Sequence, residues 1–194
     1  MVVILLSGGL DSAVLAYRAS ASGQLGACVF VDYGQPAAEQ ERAASVRIAA
    51  ALDADLHIRE VVLRGMADMR AGVGEAGPRV VPGRNLILIA LAANVATAIG
   101  ADSVLIGCTR DDAAAYPDCR PQFVGNIDLA HRETGAGPRV LAPWLWSTRA
   151  DVVKEARRLG VSDVWSCYAP TETGEACGAC DSCRQETICP RNSA

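Results

Sequence analysis

A continuously apolar strand that runs through a glycine pair straight into a helix is the feature that most narrows the fold of this chain. Val2-Val3-Ile4-Leu5-Leu6 is followed by Ser7-Gly8-Gly9-Leu10-Asp11-Ser12, and helical spacing starts at about Ser12. Such a strand reads as buried on both faces, as in a parallel sheet covered by helices. Glycines let the backbone turn tightly and approach a ligand with no side chain in the way. Successive N–H groups at a helix start form a nest for anions, and the helix dipole reinforces it. Ser7 and Ser12 add hydroxyl donors suited to phosphate oxygens. Asp11 repels phosphate but suits the magnesium that phosphates bring. The ordinary alternative is a plain strand–helix turn with Asp11 as N-cap, and the string is neither a Walker loop nor G-x-G-x-x-G.

The rest of the chain repeats the alternation of short apolar runs and longer helix-like segments. Strands are predicted at 2–6, 27–31, 56–63, 103–107 and 140–141. Helices are predicted at about 12–22, from Pro36 to about 52, at 84–99 (apolar on most faces, hence buried), near 123–132, and at 149–159, where Gly160 stops the last one. The pattern predicts an α/β fold: a Rossmann-like parallel sheet of about five strands with helices on both faces. Residues 65–83 read as a loop that could cover a site, and 109–120 as polar and irregular. Periodicity stops at Val161, which sets an α/β domain at 1–160 and a separate C-terminal segment at 161–194.

Composition bounds the function. Of 194 residues, 51% are apolar, enough for a core without disulfide staples, and the net charge of −4 leaves no strongly basic footprint for a nucleic-acid partner. No apolar run reaches the length of a membrane-spanning helix, so no membrane partner is expected. The first apolar run is too short, and lacks the charged start, for a signal peptide. A cytoplasmic location is expected, where thiols stay reduced. The eight cysteines then need another explanation than disulfides. Cys28, Cys108 and Cys119 are scattered and read as core residues. Cys167, Cys177, Cys180 and Cys183 offer four thiolates with two-residue gaps among the last three, which describes a structural zinc site. An iron–sulfur cluster is the alternative, since Cys189-Pro190 follows, but five residues separate Cys183 from Cys189 where such clusters use three.

The 7–12 string resembles the S-G-G-x-D-S pyrophosphate loop of the ATP pyrophosphatases. Tyr33-Gly34-Gln35, Val81-Pro82-Gly83-Arg84-Asn85, Tyr116-Pro117-Asp118-Cys119-Arg120, Arg149-Ala150-Asp151 and the four cysteines follow in order. Together they resemble the 7-cyano-7-deazaguanine synthase family, of adenine-nucleotide alpha-hydrolase fold, which serves queuosine-type deazapurine biosynthesis. The resemblance implies an ATP-dependent carbon–nitrogen ligase. The carboxylate of 7-carboxy-7-deazaguanine is adenylated, ammonia displaces AMP to give the amide, and a second ATP takes the amide to the nitrile. It implies ATP on Leu6, Ser7, Gly8, Gly9, Leu10, Asp11 and Ser12, and catalytic roles for Asp11 and for Arg149, which stands where the family usually has lysine. Arg84, Asn85, Tyr116, Asp118 and Arg120 are the implied substrate contacts. Asp118 would accept from the guanine-like N–H edge and Arg120 would meet the carboxylate, with a loop salt bridge or cap as the bland alternative. Magnesium and one structural zinc per chain are the implied metals, and homodimerisation is common in the family.

The chain departs from the family pattern in two telling places. Pro36-Ala37 follows Gln35 in place of Arg-His, and Ala113-Ala114-Ala115 precedes Tyr116 in place of Tyr-Ser-Gly. Three small side chains would open a pocket toward a bulkier nucleophile. A second reading is therefore a related ligase that joins the activated acid to another amine, including an acceptor on a protein. A reading from a different class is a non-catalytic, zinc-stapled nucleotide-binding module, and a third is a tRNA-modifying ligase with the same loop. His57 and His131 read as ordinary structural or surface histidines.

Overall fold

The computed structural model describes residues 1–63, 81–135 and 137–184. Five strands, β1 (Val2–Leu5), β2 (Leu25–Asp32), β3 (Leu56–Glu60), β4 (Ser103–Leu105) and β5 (Arg139–Leu141), form one sheet in the order β3-β2-β1-β4-β5. Every neighbouring pair is parallel. Parallel pairing requires a crossover between strands, and the helices α1 (Leu10–Ala21), α2 (Ala38–Ala51), α3 (Arg84–Ala98), α5 (Pro121–Glu133) and α6 (Arg149–Leu159) cover the two faces.

The two-residue period of β1 divides the core. Val3 packs with Val29, Val104, Ile89 and Val95 under α3, joined by Val124 of α5. Ile4 points the other way, and with Leu6 it meets Val14 of α1, Ile48 of α2 and Val152 of α6. All are fully or nearly fully buried, and each such side chain removed from water contributes about 1.5–3 kcal/mol. From β1 the chain moves to β2 on one side, and β4 later joins it on the other. The crevice beyond the carboxyl ends of β1 and β4 is where such sheets place ligands.

The observed elements match the predicted alternation, with three differences. First, β3 stops at Glu60, and α2 begins two residues after Pro36. Second, part of the stretch read as irregular is ordered: α4 (Arg110–Ala115) is followed by a 3-10 turn, Pro117–Cys119. Thr109 caps α4 through a reciprocal pair with Asp112, its side chain accepting the Asp112 N–H while the Asp112 carboxylate accepts the Thr109 N–H. Third, α3 is buried on one side only, and Leu86 is exposed on the other. A short helix, α7 (Asp181–Arg184), lies within the cysteine segment. Most of the loop expected over a site, 64–80, lies outside the described residues, as does Cys189. Among the described residues no helix is long and apolar enough to cross a membrane.

Asp128 locks α5 to β5. Its buried carboxylate accepts the Val140 N–H at 2.9 Å and both oxygens accept Nε–H of Arg139 at 2.9 and 3.1 Å. Burial pushes the carboxyl up, but these donors and the Arg132 and Arg139 charges outweigh it and hold its pKa below the ordinary aspartate value. Stability from such a group is present above the unfolded pKa and is lost as pH falls through the folded one. Asp128→Asn is expected to cost roughly 1–2 kcal/mol in urea unfolding at pH 7, with the difference closing as the pH is lowered below the ordinary aspartate range.

Candidate functional site

The 7–12 loop is built from its own hydroxyls. Ser12 Oγ accepts the Ser7 N–H at 3.2 Å and donates to the Gly9 carbonyl at 3.1 Å, and the two serine hydroxyls are 3.2 Å apart. Gly9, not Asp11, is the N-cap of α1, so Asp11 stands in the first turn with its side chain free for other work. The opening N–H groups of a helix have no carbonyl one turn back to bond, which leaves a nest of donors beside this loop. Two glycines permit close approaches. A β-carbon at Gly8 (φ +77°) would stand 2.5 Å from the Glu41 carbonyl oxygen, and one at Gly107 would stand 3.0 Å from the Ser12 nitrogen.

Asp11 is held from two directions. The indole N–H of Trp144 donates to its carbonyl at 3.3 Å, and the Arg149 guanidinium pairs with its Oδ2. Arg149 is the first residue of α6, which Thr148 caps by a reciprocal pair with Asp151. The other oxygen, Oδ1, is buried without a hydrogen-bond partner. Burial pushes the Asp11 carboxyl up to about 6 against the pull of Arg149. An unpartnered anionic oxygen at the foot of an anion nest fits a divalent cation of the magnesium class.

Asp11 and the loop open on a cavity of about 430 Å³ at the carboxyl end of the sheet, a size usual for ligand sites. Gly8, Leu10 and Arg149 are not among its lining residues, and Arg149 bears on it through Asp11. Leu6, Ser7, Gly9, Asp11 and Ser12 line the cavity together with Tyr33, Gln35, Glu41, Arg84, Asn85 and Tyr116. Arg84 donates to the Tyr33 hydroxyl at 3.4 Å and to Asn85 Oδ1 at 3.2 Å. Asn85 in turn donates to the Asp118 carbonyl at 3.3 Å, tying the start of α3 to the 116–120 turn. Of the expected substrate contacts, Arg84, Asn85 and Tyr116 face the cavity, whereas Asp118 and Arg120 are not among its lining residues. Arg120 is exposed and gives its Nε–H to the Ala113 carbonyl. Ala113, Ala114 and Ala115 are not among the cavity's lining residues, whereas Asp112 of the same helix is; Ala114 and Ala115 are exposed and Ala113 half-buried. His57 and His131 are likewise absent from the lining.

Glu41 is among the lining residues that the sequence reading missed, with Asp112, Tyr168 and Arg184. Its carboxylate Oε2 accepts Nε2–H of Gln35 at 2.8 Å. Burial pushes its carboxyl up to about 7 even though Gln35 and the Arg84 charge pull it down, and Asp32 adds to the rise. A signal existed: Ala37, Ala44, Ser45, Ile48 and Ala49 are the buried positions around α2, and Glu41 falls on that stripe at helical spacing. A carboxylate on the inward stripe of a surface helix calls for a partner.

The cysteines expected to hold metal come together. The sulfurs of Cys167, Cys177, Cys180 and Cys183 all lie within 4.8 Å of one another, with Cys177 and Cys183 at 4.0 Å. A tetrahedral zinc–thiolate site requires sulfurs about 3.8 Å apart, so the donor set and its size fit zinc. Backbone N–H groups of Ala179 and Cys180 donate to Cys177 Sγ at 3.5 and 3.4 Å. Burial raises the Cys177 thiol, but these donors and its neighbouring thiols bring it down to about 6, toward the thiolate a metal needs. The segment folds back on the loop: the Trp165 N–H donates to the Gly8 carbonyl at 2.8 Å and the Trp165 indole to the Cys167 carbonyl at 2.8 Å. Tyr168, Cys177, Cys180 and Arg184 line the cavity.

With this geometry in place, comparison with known proteins is specific. The model of the family described as queuosine biosynthesis protein QueC matches residues 1–188. A 7-cyano-7-deazaguanine synthase 1 from Sphingopyxis alaskensis is 42% identical over 94% of this chain and 90% of its own. Among solved structures, a U34-tRNA thiolase from Methanococcus maripaludis with its [4Fe-4S] cluster superposes with a TM-score of 0.59 at 17% identity. That match covers 96% of this chain and 63% of the thiolase. A 4-thiouridine synthetase in complex with RNA and ATP superposes with a TM-score of 0.50 at 20% identity, over 82% of this chain and 40% of its own. The two structures share the fold with this chain.

The half-buried Glu41 makes a stability test of the cavity wall. An unfolded glutamate titrates near 4.5 and this one at about 7, so between those values the unfolded chain gives up the proton first and folding is penalised. Stability tied to Glu41 is full below 4.5 and lost as pH rises through 7. Glu41→Gln keeps an acceptor for Gln35 and removes the charge. The variant is expected to be more stable than the parent by roughly 2–3 kcal/mol at pH 8, with no difference at pH 4.5, in paired urea titrations.

Proposed function

The chain belongs to the family of queuosine biosynthesis protein QueC, and on that premise we propose that it is an ATP-dependent carbon–nitrogen ligase that converts 7-carboxy-7-deazaguanine to 7-cyano-7-deazaguanine. The observation that carries the reading is Asp11, with one oxygen on Arg149 and the other buried and unpartnered, at the foot of the 7–12 nest.

A carboxylate is a poor electrophile and must first be given a leaving group. One substrate oxygen attacks the α-phosphorus of ATP, and the bond to pyrophosphate breaks with its electron pair. The N–H nest holds the phosphates, the Ser7–Ser12 hydroxyl pair fixes the shape of that nest, and Arg149 supplies the cation beside it. Magnesium, with Asp11 as its protein ligand, neutralises phosphate charge when bound. Ammonia then attacks the acyl carbon through its lone pair, the bond to AMP breaks, and a proton passes to solvent, leaving the amide. The amide oxygen repeats the displacement on a second ATP, and departure of AMP with the last N–H proton leaves the nitrile. Positioning and charge stabilisation supply most of the rate in such chemistry.

The three alanines that suggested a bulkier amine are not among the cavity's lining residues, so they give that reading no support. A non-catalytic module would have no need for a half-buried charged pair with an unpartnered carboxylate oxygen beside a phosphate nest. The cysteine site is read as structural zinc, because it closes the segment that carries Trp165 and Tyr168 onto the loop.

Mass spectrometry of the protein with ATP, magnesium and 7-carboxy-7-deazaguanine tests the reaction. The nitrile and AMP are expected with ammonium present, and pyrophosphate with a bound acyl-adenylate but no nitrile when ammonium is withheld; absence of AMP in the first and of adenylate in the second would sink the substrate assignment. Elemental analysis is expected to give one zinc per chain, with no iron and no visible absorption band. Cys177→Ser is expected to lower the zinc content and to lower the melting temperature by several degrees.

A further inference from the structure

The cavity carries a carboxylate for which the proposed reaction steps have no task, on the helix whose backbone packs against the phosphate nest at Gly8. Glu41 is fixed by a short chain of hydrogen bonds that begins in the backbone. Gln35 is buried, and its Oε1 accepts the Tyr33 N–H at 2.9 Å. The amide therefore cannot flip, and its Nε2 must donate, to the Val31 carbonyl at 3.4 Å and to Glu41 Oε2 at 2.8 Å. Among the described residues no hydrogen bond reaches Glu41 Oε1, and no ion pair joins Glu41 to Arg84, whose donors go to Tyr33 and Asn85. Both side chains line the cavity. The wall thus offers an acceptor-only group and, apart from it, a donor-only group, each with capacity left over.

We propose that this wall reads the heterocycle of the substrate: the Glu41 carboxylate accepts the ring N–H and the exocyclic 2-amino N–H of a fused 2-aminopyrimidin-4-one, and Arg84 donates to the ring carbonyl on the same edge. The assignment rests on the function proposed above and deepens it. Two adjacent N–H donors match the two oxygens of a carboxylate, and Oε2 keeps a lone pair beyond the one Gln35 uses. Adenine matches less well, since its amino group sits beside a ring nitrogen that is an acceptor and would face the second carboxylate oxygen. Asp118, the carboxylate expected for this role from sequence, is outside the cavity lining, and its backbone carbonyl serves as the acceptor for Asn85. The high proton affinity of Glu41 without ligand agrees with a charge that is left for N–H donors to stabilise.

The test compares two acids in AMP release: 7-carboxy-7-deazaguanine and its analogue lacking the 2-amino group. A site built to hydrogen-bond that amino group should favour the parent acid by about a hundredfold in kcat/KM. In Glu41→Gln the KM for the parent acid should rise at least about tenfold, the preference between the two acids should shrink to a few-fold, and the KM for ATP should stay as in the parent protein. An unchanged preference in Glu41→Gln overturns the assignment. A raised KM for ATP with an unchanged KM for the acid also overturns it, by placing adenine on this wall. Failure of the parent protein to release AMP with either acid is a separate result that removes the reaction itself, and the assignment with it.

Discussion

The site depends on the absence of a side chain at Gly8. There the backbone of α2 comes so close that a β-carbon would collide with the Glu41 carbonyl oxygen, and the residue sits at a positive φ that disfavours any other amino acid. The Gly8 carbonyl meanwhile takes the N–H of Trp165 from the C-terminal segment. One glycine therefore brings together the phosphate nest, the helix that carries Glu41 and the segment that carries the cysteines. Gly107 does the same on a smaller scale, letting the end of β4 run against the first turn of α1.

This joint explains why a segment with almost no core of its own belongs to the site. Residues 161–184 contribute few apolar side chains to the two core clusters. What fixes them is the hydrogen bonding around Trp165 and the convergence of four sulfurs. A metal at that cluster would replace missing hydrophobic burial by coordination, as small segments commonly do. Because Tyr168, Cys177, Cys180 and Arg184 also line the cavity, the staple fixes part of a ligand wall and is more than a tail restraint. A division at residue 160 describes the chain's periodicity; the cavity itself spans it.

Much of the fold was legible because the strands are short, apolar and separated by helices long enough to show their period. The fifth helix to be predicted shows the best case: Thr148 and Asp151 at its start and Gly160 at its end mark it residue by residue. The same threonine–aspartate spacing stands at Thr109 and Asp112, yet α4 was read as irregular, because Pro117 cuts the segment too short for any period to emerge. The loop and the cysteine cluster were legible because their residues are contiguous or closely spaced. The rest of the cavity lining was not. Asp118 and Arg120 lie in a polar string beside a strand end, and sequence cannot tell which side of such a turn faces the ligand. Glu41 is brought to the cavity by the pitch of α2 and held there by Gln35, six residues earlier, a relation that exists only once the helix is folded.

Two carboxylates now share one cavity, and their surroundings separate their tasks. Asp11 sits against a guanidinium, in a nest of backbone donors that draws in polyanions, so the partner its free oxygen lacks is a cation that travels with phosphate. Among the described residues Glu41 has a neutral amide donor in contact and no ion pair, with the Arg84 charge near enough to pull its carboxyl down, so the partners it lacks are N–H groups. Both are pushed toward the protonated form by burial, Asp11 to about 6 and Glu41 to about 7. That penalty is a property of the ligand-free protein, and whatever binds must supply the missing charge or donors to remove it. A site arranged in this way gains selectivity from both ends at once. A ligand lacking the phosphate leaves Asp11 without its cation, and one lacking the paired N–H donors leaves Glu41 a half-buried charge with a single bond.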